Sequence, residues 1–60
     1  MNKDKRDLVY SLIAHNRMIV NRLIEVRDHK YKAADYNWEY YTGKIAGYNE
    51  IILSMEELLK

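Results

Sequence analysis

An all-α fold, an antiparallel two-helix hairpin with helices over about 4–30 and 35–59, is what this sequence predicts, and three observations carry the prediction. Stepping alternately by three and four from Trp38 meets Tyr41, Ile45, Tyr48, Ile52, Met55 and Leu59, every one apolar or aromatic. The same walk from Val9 meets Leu12, Asn16, Ile19, Leu23 and Val26, apolar at every stop but one. No proline interrupts either walk. Stripes of this period and length are the seams of helices packed lengthwise against another helix.

The first helix begins after a polar start, Met1 to Asp7. Asn2 or Asp4 can accept amide hydrogens of the first turn, and Asp4 and Asp7 place negative charge at the positive end of the helix dipole. Ile13 and Val20 widen its stripe on one flank, and Leu8 and Ile24 spread it further. A helix of about 27 residues would run roughly 40 Å at 1.5 Å per residue.

Between Asp28 and Asp35 the apolar walk fails, at Lys30, and resumes only at Trp38. No glycine or proline marks a turn there, but Asp35 is a good N-cap for a second helix, with Glu39 in its first turn. A turn centred on Ala33-Ala34 would pair Val9 with Leu59, Asn16 with Ile52 and Leu23 with Ile45. The alternate layers would be Leu12 with Met55, Ile19 with Tyr48 and Val26 with Tyr41. A single unbroken helix pairing with a second copy would use nearly the same layers. Val9, Leu12, Ile19, Leu23, Ile45, Tyr48, Ile52 and Met55 are therefore expected to be structural.

The second helix carries Gly43 and Gly47 four residues apart, with Ala46 beside them. Each glycine costs about 1 kcal/mol relative to alanine in a helix interior. They make either a smooth strip that another backbone can approach or a solvent face of no special design.

Sixty residues without cysteine make one small domain, residues 1–60, with no disulfide and no thiolate metal site. A core of that size is marginal alone and is commonly completed by association. Apolar runs reach only three residues, as at Ile51-Ile52-Leu53, far below the ~20 that span a bilayer. The expectation is a cytoplasmic protein with no membrane segment. Residues 1–30 carry seven Lys/Arg against four Asp/Glu and residues 31–60 three against five, as suits two halves lying together.

After the seams are used, Leu8, Tyr10, Met18, Ile24, Tyr40, Ile51, Leu53 and Leu58 remain. Each large side chain buried is worth roughly 1.5–3 kcal/mol. The surplus predicts either a homodimer closing a four-helix bundle or a bundle completed by a different, host protein. Asn16 in the seam can fix register, with Asn49 a possible hydrogen-bond partner, or can simply lie at a solvated edge.

Six tyrosines and one tryptophan occur without a phenylalanine. Tyr31, Tyr36, Trp38, Tyr40 and Tyr41 crowd the expected hairpin tip, where they can cap a small core or form a binding hot spot. Tyr36, Trp38, Tyr40, Tyr41, Gly43 and Gly47 are the expected partner-binding residues. On the first helix His15, Arg22 and His29 recur every seven residues, and with Arg17 and Arg27 they could meet phosphates. A polar rim beside an interface is the more ordinary account of them.

Glu25 and His29 share a face, but no HExxH or Glu-x-x-His pattern accompanies them, so no metal is expected. Neither a nucleophile–histidine arrangement nor a glycine-rich phosphate loop is present. No enzyme and no cofactor are expected. The run from Trp38-Glu39-Tyr40-Tyr41-Thr42-Gly43-Lys44 through Ile45-Ala46-Gly47-Tyr48-Asn49-Glu50-Ile51-Ile52 resembles short helical proteins of bacteriophages and prophages of Gram-positive bacteria. That resemblance implies a small regulator or inhibitor that binds a host protein. The hairpin is also similar in shape, not in any residue, to the Rop-like RNA-binding regulators of plasmid copy number. A dimeric nucleic-acid-binding regulator is accordingly the alternative function.

Overall fold

The computed structural model, which describes all sixty residues, is an antiparallel hairpin of α1, Lys3–Lys30, and α2, Tyr36–Leu58. It is 45 Å long, 15 Å wide and 11 Å thick. These are extents of the Cα trace, wide enough for two helix backbones side by side and shallow in the third direction. The molecule is a single layer of two helices.

Asn2 caps α1, its Oδ1 accepting from the Lys5 amide at 2.9 Å. Tyr31 ends the helix by turning extended, at φ −128° and ψ 157°. The turn then closes on Asp35 without any positive φ. The Asp35 amide donates to the Lys32 carbonyl at 2.9 Å, and the Asp35 carboxylate accepts from the Lys32 amide at 3.1 Å. Asp35 does occupy the N-cap position of α2, but its side chain makes no bond into that helix. The expected cap is instead a turn clasp. Because every φ stays negative, the turn has no need of glycine.

Four side chains are buried: Ile13, Val20, Ile45 and Ile52. Val9, Leu23, Ile24, Tyr48, Met55 and Leu59 pack against them. On α2 this is the expected stripe. On α1 the stripe is rotated by one residue, to Val9, Ile13, Asn16, Val20, Leu23 and Arg27. Leu12, expected in the seam, is 42% exposed, whereas Ile13 is 7% exposed. Ile19 and Val26 are half-buried at the seam's edge. Ile24, expected to be surplus, belongs to the packed shell.

The register also differs, by about one helical turn. Leu59 shares a groove with Ile13, and Ile52 shares one with Val20, where the turn at Ala33-Ala34 predicts Val9 and Asn16. Arg17 meets Glu56 at 2.8 Å in the same register. The extended Tyr31 lengthens the connection, so α2 starts further along the axis than a tight turn would place it. At the other end the first turns of α1, exposed through Leu8, project past the end of α2.

Asn16 lies in the rotated seam and is half-buried. Its side-chain amide donates to the Leu12 carbonyl of its own helix at 2.7 Å. The Asn16–Asn49 bond considered from the sequence is not formed, and Asn49 lines an exposed groove with Arg17 and Ile24. Back-bonding within the helix satisfies a polar group that would otherwise meet only aliphatic neighbours.

Candidate interaction surfaces

Helix periodicity and the seam together place every exposed side chain on one of two broad faces. Leu12, Ile19, Lys44 and Ile51 each precede a buried residue by one position. Arg17 and Glu56 each follow a buried residue by four positions. In an antiparallel pair of right-handed helices, equivalent offsets from the two seams point to the same side. The Arg17–Glu56 contact shows this directly for one face. The other face therefore gathers Leu8, Leu12, Ile19 and Val26 of α1 with Tyr40, Gly47, Ile51 and Leu58 of α2.

These two faces are chemically unlike. The first holds the Arg17–Glu56 bridge, with Asn21 and Asn49 lining the adjoining groove. The second, here called the open face, has rows without Asp or Glu. Its cations include Lys30 and Lys44 towards the tip and Arg22 beside Ile19, and the Lys44 ammonium lies 5.6 Å from the Tyr40 ring centroid. Leu8, Leu12, Tyr40, Ile51 and Leu58 are all exposed there.

At the tip, the aromatic residues divide into two groups. Tyr31 stacks on Tyr41 with ring centroids 5.6 Å apart, and Tyr40 meets Tyr41 edge-on at 5.7 Å. Trp38 lies beneath the Arg27 guanidinium, 4.4 Å from the ring centroid. Trp38 and Tyr41 are half-buried, so both close the end of the core. Tyr40, 53% exposed, stands outward on that base, and Tyr36, 81% exposed, projects from the first residue of α2. Gly43 and Gly47 have open space where a Cβ would stand, with no heavy atom within 4 Å.

Arg27 is the functional assembly that sequence reasoning did not find. It takes a seam position, and its side chain is 19% exposed. The guanidinium donates to Thr42 Oγ1 at 3.0 Å and to Asp28 Oδ1 at 3.1 Å while stacking on Trp38. An arginine in an apolar walk reads as a break. Here two hydrogen-bond partners and an aromatic plane hold it in place. The only sequence signal for it was a tryptophan and an arginine at the ends facing the same turn.

The other basic positions are not gathered into one patch. Arg17 is ion-paired on the polar face. His15 and Arg22 line a shallow groove with Met18 and Ile19, and His29 lines another with Glu25, Val26 and Lys30. Glu25 and His29 do share a groove, yet no three His, Asp or Glu side chains come together as a metal would need. Neither helix is long and apolar enough to cross a membrane.

No protein-family model, curated protein or solved structure matches the chain. What can be said of its activity comes from its own geometry.

Proposed function

We propose that the chain is a non-catalytic protein–protein interaction module, a small phage-derived regulator that works in the cytoplasm by binding a host protein through the hairpin tip. The observation that supports this most is the exposure of Tyr40 on a rigid aromatic base. Tyr40, resting edge-on against the Tyr31–Tyr41 stack, presents large area at little further entropy cost, and Tyr36 adds a second exposed ring at the start of α2. Gly43 and Gly47 leave room beside them for an approaching backbone. The likeness of Trp38–Ile52 to phage and prophage proteins points the same way.

The test is capture from a host lysate with intact-mass readout, comparing the native chain with a Tyr36→Ala, Tyr40→Ala double variant. A defined host protein retained by the native chain and lost by the variant, at unchanged helicity, is the expected result. Equal retention by both, or no specific protein at all, refutes the reading. The alternative, a dimeric nucleic-acid-binding regulator using His15, Arg17, Arg22, Arg27 and His29, draws less support, since Arg17 and Arg27 are engaged within the hairpin.

A further inference from the structure

We propose that the open face is covered by a second copy of the chain, stacked tip to open end about a two-fold axis, so that α2 crosses its partner's α2 between Gly47 and Ile51. The observations behind it differ from those behind the host-protein reading, but the two surfaces share Tyr40 and Gly47, so a second copy and a host protein would compete for them.

Area is the first argument. The hairpin exposes 4843 Å². A compact monomer of its 7.3 kDa mass would expose about 4,200 Å². The excess, roughly 650 Å², is about four-fifths of the ~800 Å² that each partner contributes to a standard stable interface. A single layer of two helices has no interior of its own beyond the seam, and helical domains reach a core by stacking two layers. A second copy supplies a layer of matching length.

The second argument is that α1 is apolar over more than the strip that α2 covers. Val9, Ile13, Val20 and Leu23 face α2, while Leu8, Leu12, Ile19 and Val26 face out on the open side. A helix apolar on two sides is one covered on two sides. Two-fold contacts require a patch that complements itself, and α2 offers one. Ile51 lies four residues after Gly47 in the same row. An antiparallel crossing centred between them seats each Ile51 over the other chain's Gly47, where 4 Å of space is free.

Charge sets the orientation. Lys44 stands towards the tip end of the open face, and Lys30, beside it, shares its groove with Glu25. Stacking tip on tip would bring four ammonium groups together. With the crossing centred between Gly47 and Ile51, each Lys44 stands about five residues from the axis, so the two ammonium groups lie roughly 15 Å apart rather than side by side.

Sedimentation equilibrium on the native chain, Ile51→Glu and Leu53→Glu tests the proposal. Ile51 and Leu53 are both exposed, at 48% and 63%, but Leu53 lies on the other flank. The native chain and Leu53→Glu should sediment at twice 7.3 kDa, and Ile51→Glu at 7.3 kDa. A native monomer at millimolar concentration, or an Ile51→Glu dimer, overturns the proposal. Because Ile51→Glu could fail to fold, disulfide trapping provides a second measurement on a chain with no cysteine of its own. Mixed Gly47→Cys and Ile51→Cys chains should cross-link under mild oxidation well above a Gly47→Cys and Leu53→Cys mixture. Equal yields also overturn it. A monomer that still captures a host protein through Tyr36 and Tyr40 would refute only the second copy.

Discussion

The two broad faces of the hairpin are built from the same two helices yet solve different problems. One is tied across by Arg17 and Glu56 at 2.8 Å, with Asn21 and Asn49 beside them. The other offers Leu8, Leu12, Ile51 and Leu58 to its surroundings with no polar tie between the helices. An exposed ion pair of this kind contributes little stability, typically under about 1 kcal/mol. Its use here is to mark a side that tolerates water. The asymmetry separates what folds the chain from what remains for association.

The boundary between those roles runs between Leu12 and Ile13, and the largest expected effect lies there. Ile13→Ala removes a side chain from a four-residue core and should cost about 2–4 kcal/mol. Leu12→Ala, one residue away, should cost under about 1 kcal/mol of hairpin stability. Urea unfolding in an Ile51→Glu background, which removes any contribution from association, measures both. Equal losses would mean that the two α1 stripes are not divided between hairpin and surface.

This boundary is also where sequence reading reached its limit. On α2 one apolar walk exists, from Trp38 to Leu59, and the structure turns that walk to the seam, with Ile45 and Ile52 buried and the rest half-buried. On α1 two walks share Val9, Asn16 and Leu23. One continues through Leu12, Ile19 and Val26, the other through Ile13, Val20 and Arg27. Periodicity favours the first because its last stop is valine, while the second ends on a charge. The decision belongs to a tertiary contact, the stacking of Arg27 on Trp38, which no local pattern encodes. The turn was obscure for a related reason. Its clasp is the single residue Asp35, whose carboxylate reads equally well as a helix cap or as a turn acceptor. The tip tyrosines were legible as a group, but their division into base and outward pair needed the Tyr31–Tyr41 stack.

Arg27 gives the next prediction, of intermediate size. Arg27→Ala removes the guanidinium from Trp38 and its bond to Thr42, and should cost about 1–2 kcal/mol. Arg27→Lys keeps the charge but loses the flat stacking group and the fork of donors, so it should recover less than half of that. Trp38 is the only tryptophan, so its fluorescence reports the site directly. Its emission should move to longer wavelength in Arg27→Ala as water reaches the ring. An unchanged spectrum and midpoint would show that Arg27 does not hold the seam closed, and the choice between the two α1 stripes would need another cause.

The smallest effects are the most discriminating, because they change sign between stability and association. Gly43 and Gly47 both have open space at the Cβ position. In the lone hairpin, alanine at either should stabilise by about 0.5–1 kcal/mol through helix propensity alone. The two differ in direction. Gly43 lies farther from the seam, towards the solvent side, while Gly47 stands in the row of Tyr40, Ile51 and Leu58. Gly43→Ala should raise the unfolding midpoint and leave self-association unchanged. Gly47→Ala should raise helicity in the monomer yet weaken association, since the added methyl occupies the space into which the partner's Ile51 packs. Thermal unfolding at several protein concentrations separates the terms, because only the association term depends on concentration. If Gly47→Ala strengthens association as well as helicity, the two glycines are an unoptimised surface and the α2 crossing is not at Gly47.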